Sequence, residues 1–219
     1  MTAATAPLAG RLAPFYGNPM TPCRRRAVLL ALLAAPLASC APRAGTPPPP
    51  PLAREAFWAN LRALCGQAFE GEIVASAPAG VDDDFAGRRM VMHVRECEDD
   101  VIRIPFHVGE NRSRTWILTR TADGLRLKHD HRHEDGSPDE ITMYGGDTAG
   151  PGTATVQEFP ADRPTAAMLP AASTNVWTIE LEPGLTYAYA LRREGTERRF
   201  RAVFDLTRPV DPPPAPWGW

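Results

Sequence analysis

The sequence lacks the short motifs that mark the common hydrolases and nucleotide-binding proteins. It contains no Gly-x-Ser-x-Gly nucleophile elbow and no His-Glu-x-x-His zinc motif. Its glycine-rich stretch at 145–152 has no Lys-Ser/Thr pair to hold a phosphate, and its acidic runs at 82–84 and 98–100 lack the spacing of a calcium loop. No catalytic residue is assigned on this basis, and a binding protein is favoured over an enzyme.

Lysine is nearly absent, and the chain has no excess of positive charge. Lys128 is the only lysine among 24 basic residues, and 26 acidic residues give a formal net charge of −2. Proteins that bind nucleic acid normally present a basic patch, because their ligand is a polyanion. The composition therefore predicts no nucleic-acid partner.

Long apolar runs are also missing, apart from one near the start that is too short to span a bilayer. This run covers residues 27–37 and follows three arginines, whereas a transmembrane helix needs about 20 apolar residues. A basic segment, a short apolar core and small residues before a cysteine are typical of a secretory signal. The stretch Leu37-Ala38-Ser39-Cys40 resembles a bacterial lipobox.

The lipobox resemblance implies a signal peptide over residues 1–39, lipidation of Cys40 and anchoring to a membrane of the bacterial envelope, facing the periplasm. An ordinary cleavable signal with a chance cysteine is the alternative. The predicted signal holds four of the 24 basic residues and none of the 26 acidic ones, so cleavage before Cys40 would leave a formal charge of −6. As a whole, the chain resembles uncharacterised bacterial lipoproteins.

Proline marks both borders of the predicted domain. Residues 40–52 include five consecutive prolines, which favour an extended polyproline II tether, and residues 209–219 form a second proline-rich stretch that predicts an extended tail. The 53–208 segment between them has the size of one domain. At its start, residues 54–66 predict a short amphipathic helix, because Phe57, Leu61 and Leu64 recur at helical spacing and Gly66 follows as a stop.

After this helix the hydrophobic pattern changes to a period of two, which is typical of half-buried strands. About ten short strands with hairpin-length links indicate an all-β, antiparallel domain, either a closed barrel or a β-sandwich. The barrel is favoured because closure removes exposed strand edges. The predicted strands cover residues 68–76, 88–96, 101–108, 113–121, 124–134, 139–145, 153–159, 175–182, 185–192 and 197–206.

The opening FWANLRALCGQAFEGE, a helix running into Gly-x-x-Phe-x-Gly-Glu, resembles the entry to calycin-type barrels, the group of lipocalins and fatty-acid-binding proteins. The resemblance covers this entry and the number of strands. It implies a calycin-like barrel of about ten strands with a short N-terminal helix. The loops at 77–87 and 146–152 and the stretch 160–174 are candidates to cap the barrel mouth.

Cysteine is scarce, and its positions point to one cross-link. If Cys40 carries lipid, Cys65 and Cys97 are left as a pair in an oxidising compartment, where disulfides form and persist. We therefore predict a Cys65–Cys97 disulfide that ties the entry helix to the second predicted strand. Two free, buried thiols are the alternative.

The stretch LRLKHDHRHEDG contains the most distinctive pattern, three histidines at alternating positions. Alternate side chains of a strand share a face, so Leu125, Leu127, His129, His131 and His133 point to one side and a fully charged set points to the other. The pattern predicts that the leucine–histidine face looks into the barrel and the charged face meets water.

Three interpretations of these histidines remain open. In the first, His129, His131 and His133 bind a divalent metal, with His107, His93 or Glu158 as a further candidate ligand. In the second they line a cavity and hydrogen-bond to a ligand, and in the third they are solvated at a strand end. Nearby, Arg112 and Arg114 could hold a carboxylate or a phosphate, although external salt bridges are an alternative.

The leading hypothesis is a lipoprotein that binds a small or hydrophobic ligand inside the barrel. A metal-assisted enzyme and a structural or assembly lipoprotein that presents a protein-binding surface are the alternatives; no cofactor is assigned. The expected inner wall also includes Tyr189, Phe200 and Phe204. The residues expected to contact ligand are His129, His131, Trp116, Tyr144, Trp177 and Tyr187.

Overall fold

The computed structural model describes residues 52–219. The predicted signal peptide, the lipidation site Cys40 and the proline-rich tether up to residue 51 lie outside these residues. Besides two 3-10 turns (Asp83–Phe85 and Pro170–Ala172), the described chain forms two short α-helices and ten barrel strands with one short extra strand. These elements are α1 (Ala53–Arg62), β1 (Ala68–Ala77), β2 (Met90–His93), β3 (Glu96–Cys97), β4 (Val101–Val108), β5 (Asn111–Arg120), β6 (Leu125–His131), β7 (Tyr144–Asp147), β8 (Val156–Pro160), α2 (Arg163–Met168), β9 (Asn175–Glu182), β10 (Thr186–Arg193) and β11 (Arg199–Val210).

The strands form a single antiparallel sheet that curls into a nearly closed barrel. The order across the sheet is β7-β6-β5-β4-β2-β1-β11-β10-β9-β8, and β3 pairs beside β4. First and last strands are neighbours, since β1 pairs with β11 from Ala68↔Val210 to Ala77↔Arg199. The predicted all-β barrel with a helix before it is therefore confirmed in preference to the β-sandwich, and the fold is compatible with a calycin-like barrel.

The seam between the two end strands, β7 and β8, is closed by side chains and by the segment that follows β8. The Asp162 amide donates to the Gly145 carbonyl at 2.9 Å, and the Thr165 hydroxyl donates to the same carbonyl at 2.8 Å. Gly146 lies against the backbone of β8, where an added Cβ would sit 1.8 Å from the Pro160 carbonyl oxygen. Only glycine permits this approach.

Asp162 contributes to the seam in two ways, and the two contributions can be separated. Its carboxylate caps α2 by accepting from the Thr165 amide at 2.9 Å, and it pairs with Lys128 at 2.5 Å. We expect Asp162→Ala to lower the free energy of unfolding by about 1–2 kcal/mol, whereas Asp162→Asn, which can still cap, should cost less than about 1 kcal/mol. Urea unfolding measures both changes.

The control for this comparison is Asp147→Asn, because Asp147 makes an exposed ion pair with Arg126 on the neighbouring strands. Exposed pairs contribute little, so this variant should stay within about 0.5 kcal/mol of the wild type. If the three variants have equal stability, Asp162 has no special role at the seam.

The two ends of the barrel differ. Helix α1 closes the base, where Phe57 and Leu61 are fully buried in the core. Cys65 and Cys97 form the predicted disulfide there, with their Cα atoms 6.2 Å apart. The opposite end, here called the mouth, receives the three longest connections between strands. These connections are residues 78–89, 132–143 and 161–174.

Packed side chains fill most of the barrel interior. Phe106, Trp116 and Tyr189 stack in a row, with centroid distances of 4.9 Å from Phe106 to Trp116 and 4.4 Å from Trp116 to Tyr189. Below them, Tyr187 and Phe204 are fully buried. Aromatic rings therefore occupy this part of the barrel, in which the leading hypothesis places a ligand.

The strand predicted over 139–145 is also wrong, since β7 begins only at Tyr144. Residues 132–143 fold back over the outer face of β6, where Asp130 accepts from Arg132 at 3.0 Å and from the Thr142 hydroxyl at 3.0 Å. Asp130 is therefore buried, although the alternation of β6 predicts that it meets water. The prediction fails because the connection that follows β6 folds back and covers this part of the face.

The tail predicted over residues 209–219 begins later in the structure and lies against the domain. Strand β11 continues to Val210, and the chain beyond it packs on the domain. The Trp217 amide donates to the Arg112 carbonyl at 3.1 Å, and the Arg112 guanidinium donates to the Ala215 carbonyl at 3.2 Å. Neither helix in residues 52–219 combines the length and apolar character required to cross a membrane.

Candidate functional site

The alternation of β6 carries two histidines to the mouth. Leu125 and Leu127 are buried in the core near the base, and His129 and His131 follow on the same inner face. On the neighbouring strand β5, Trp116 lies directly opposite His129, and Arg114 lies directly opposite His131. Antiparallel pairing therefore places two histidines, one tryptophan and one arginine side by side on one wall of the mouth.

His129 is buried and both of its ring nitrogens have protein partners. The Nδ1 atom lies 3.1 Å from the Tyr144 carbonyl oxygen, and Nε2 lies 2.7 Å from the Tyr189 hydroxyl. Burial lowers the pKa of His129 to about 3, so the ring is neutral at pH 7. Because a carbonyl only accepts, Nδ1 carries the proton and the Tyr189 hydroxyl donates to Nε2.

His131 and Tyr144 form the outer part of the wall. The Tyr144 hydroxyl lies 3.2 Å from His131 Nε2, and the Tyr144 ring stacks on His129 at 4.6 Å between centroids. Burial lowers the pKa of His131 to about 4, with a smaller contribution from the charge of Arg114, and burial raises the pKa of Tyr144 to about 12. Both groups are therefore neutral at pH 7.

Arg114 is the charged member of the wall. Its guanidinium carbon lies 5.1 Å from the centroid of the Phe85 ring, a cation–π arrangement. Burial is the main cause that lowers the pKa of Arg114, yet a guanidinium stays charged at neutral pH. Among the residues described, Arg114 makes no ion pair and no side-chain hydrogen bond.

These side chains surround a small cavity of about 110 Å³ at the mouth. One water molecule in the liquid occupies about 30 Å³, so the cavity has the volume of about three or four water molecules. The lining residues are Asp82, Phe85, Phe106, Arg114, Trp116, His129, His131, Tyr144, Tyr189, Leu191, Arg198 and Phe200.

The connection between β1 and β2 covers one side of this cavity, as predicted for the loop at 77–87. Phe85 packs on Phe200 at 5.6 Å between ring centroids. Asp82 is held by two hydrogen bonds of 2.8 Å from Arg198, which neutralise its charge. The loop is therefore fixed to the far wall of the mouth by one aromatic contact and one ion pair.

Two larger depressions, of about 530 and 550 Å³, lie along β1. The charged side chains of both grooves are mostly exposed, and Asp205 and Arg208 in the second groove pair with each other at 2.7 Å. Neither groove gathers buried polar groups toward one point. Size alone therefore does not identify the site, and the smaller cavity at the mouth is the better candidate.

Four of the six residues predicted to contact ligand line the mouth cavity: His129, His131, Trp116 and Tyr144. The fifth, Trp177, is buried behind Tyr144 and lines a neighbouring groove of about 280 Å³. The last, Tyr187, lies deeper in the core beyond Trp116, where its hydroxyl has no hydrogen-bond partner among the described residues.

The residues proposed as metal ligands do not come together as a set of three. His133 is exposed, and His129 uses both nitrogens within the protein. His93 and His107 lie on the outer face of β2 and β4, and Glu158 pairs with Arg192 at 2.6 Å. Residues 52–219 contain no group of three His, Cys, Asp or Glu side chains that could hold a metal ion.

Three lining residues lie outside the six predicted to contact ligand: Arg114, which was predicted only as a possible anion-binding residue, Tyr189, which was predicted only as part of the inner wall, and Phe85, which was not predicted. Arg114 and Trp116 are two positions apart on β5 and therefore share its inner face, so the sequence could have predicted that Arg114 points into the barrel. Phe85 ends a 3-10 turn in the connection between β1 and β2, and Tyr189 lies 60 positions from His129, so only the folded chain shows that both line the mouth cavity. Searches of protein-family models, curated proteins and solved structures found no match to this chain.

Proposed function

We propose that this protein is an envelope-anchored lipoprotein whose barrel mouth binds one end of a small ligand. The anchor rests on the lipobox resemblance at Cys40. The binding role rests on one observation: aromatic rings and polar side chains from β5, β6, β7, β10 and the 78–89 connection converge on a single cavity at the open end of the barrel. Concave, mostly apolar sites with a few directed polar groups are typical of small-molecule binding.

The dimensions of the cavity limit what it binds. At about 110 Å³ it holds a group of a few heavy atoms, and the aromatic rings of Trp116 and Tyr189 form its floor. The bulk of any larger ligand would therefore remain among the mouth loops. The barrel therefore differs from a lipid-binding barrel, in which an apolar chain occupies the whole interior.

Filling the cavity tests this function. Leu191 lines the cavity from β10, so Leu191→Trp should occupy it. We expect the full-length protein, purified from its own envelope in mild detergent, to carry a non-covalent mass in native mass spectrometry that is lost on denaturation. The Leu191→Trp variant should carry at least about tenfold less of this mass, because a filled pocket forfeits the ligand contacts.

The matched control is Leu185→Trp, the same substitution at an exposed position between β9 and β10 at the base. It should retain the wild-type amount of bound mass. The proposal is wrong if the wild type carries no such mass, or if both variants retain it equally.

A further inference from the structure

We propose that the group which enters the mouth cavity is an anion, a carboxylate or a phosphate, and that Arg114 recognises it. This inference rests on the proposed function, because it assumes that the mouth is a ligand site. It goes further by naming the chemical class of the ligand and the residue that selects it.

The charge balance of the cavity supports an anionic ligand. Two arginines and one aspartate line it, and Arg198 already neutralises Asp82 through two hydrogen bonds. His131 and Tyr144 are both uncharged at neutral pH. Near the lining, the charges of Asp84 and Arg88 shift the pKa of Arg114 in opposite directions, and neither forms an ion pair with it. The positive charge of Arg114 is therefore left in the cavity without an ion-pair partner among the described residues.

The position of Arg114 supports the same conclusion. Its side chain is half-buried, and its guanidinium lies over the ring of Phe85 on the mouth loop. A charge taken out of water without a partner costs free energy, and a bound anion would offset this cost. A guanidinium that makes few hydrogen bonds within the protein keeps its N–H donors for a ligand, and its fork matches a carboxylate or phosphate edge.

The neighbours of Arg114 are suited to an anion as well. The Tyr144 hydroxyl stays protonated, since burial raises its pKa to about 12, and it lies 3.2 Å from His131 Nε2. When His131 carries its proton on Nε2 and donates it to Tyr144, the hydroxyl keeps its own proton for an incoming oxygen. Below these groups, the rings of Phe106, Trp116 and Tyr189 exclude water and strengthen every polar interaction made above them.

A pair of small probes that differ only in charge tests this inference. Isobutyrate and isobutyramide have the same number of heavy atoms, and each approaches the size of the cavity. Binding to the full-length protein is followed by NMR shifts of the Trp116 indole and the His131 ring at matched ionic strength. We expect isobutyrate to bind at least about tenfold more tightly than isobutyramide, the usual contribution of one charge-assisted hydrogen bond.

Substitutions at Arg114 assign the effect to this residue. Arg114→Gln should remove the preference for the anion, and Arg114→Lys should restore part of it, because the ammonium keeps the charge but loses the fork. Arg112→Gln is the matched control and should keep the preference, because Arg112 donates to the Ala215 carbonyl outside the cavity. Inorganic phosphate, titrated in parallel, shows whether the site favours a phosphate or a carboxylate.

The outcomes separate the two proposals. Equal binding of isobutyrate and isobutyramide by the wild type would overturn the anion inference and leave ligand binding at the mouth intact. If isobutyrate, phosphate and isobutyramide all fail to shift the cavity signals, the anion inference is also overturned. The proposed function then stands or falls with the bound mass in native mass spectrometry.

Discussion

Lowering the pH from 7 to 5 is expected to destabilise the domain by about 2 kcal/mol for each of two deeply buried histidines, His107 and His129. Burial lowers their pKa values to about 4 and about 3, and Arg112 adds to the effect at His107. In the unfolded chain both rings titrate near 6.5. Between pH 6.5 and 4 the unfolded state therefore binds more protons, so stability is complete above pH 6.5 and is lost as the pH falls.

The pH effect is measured by urea unfolding at pH 7 and pH 5. His131, whose pKa lies at about 4 but which is partly exposed, adds a smaller contribution of the same sign. His129→Gln should be less stable at pH 7 but should lose less stability on acidification than the wild type. His133→Gln, an exposed position two residues past the end of the same strand, should match the wild type at both pH values. A free energy of unfolding that is the same at pH 5 and pH 7 would contradict the expectation.

Removing the disulfide is the second change with a large expected effect. The bond joins positions 32 residues apart and connects the chain just after α1 to β3, beside β4. A cross-link of this span lowers the entropy of the unfolded chain and is expected to contribute about 3–4 kcal/mol. We expect the double variant Cys65→Ala/Cys97→Ala to lose this amount in urea unfolding, because α1 is then less firmly held against the base.

Treatment of both proteins with a reductant is the control for the disulfide prediction. Dithiothreitol should lower the stability of the wild type toward that of the double variant and should leave the double variant unchanged. If the double variant and the wild type unfolded at the same urea concentration, the disulfide would not stabilise the domain and the prediction would be wrong.

Much of the fold follows from local patterns in the sequence. The periodicity of residues 101–108 and 175–182 predicts β4 and β9 with the observed bounds, and that of residues 68–76 predicts β1 to within one residue. Half-buried strands alternate regardless of their partners, which is why these predictions need no tertiary information. The same rule places His129 on the inner face of β6.

Local patterns fail where a neighbouring segment folds back over a strand or interrupts it. The polar stretch after β6 alternates enough to predict a strand over 139–145, but its backbone turns through Met143, which has a positive φ of 58°. The Met143 amide donates to the His129 carbonyl, and β7 starts one residue later. The side chains of this stretch satisfy Asp130 instead of pairing in a sheet.

The sequence by itself determined the period-two strands, the entry helix, the cysteine pair and the inward direction of His129 and His131, although not of His133, because each depends on residues close together in the chain or on the few cysteines available. Only the tertiary structure decided that aromatic rings fill the barrel, that both nitrogens of His129 are engaged, and that Arg114 stands beside His131 without a carboxylate partner among the described residues. Those features depend on strand register and on strands far apart in the chain, such as β6 and β10, where His129 and Tyr189 are 60 positions apart, and neither is encoded in local periodicity.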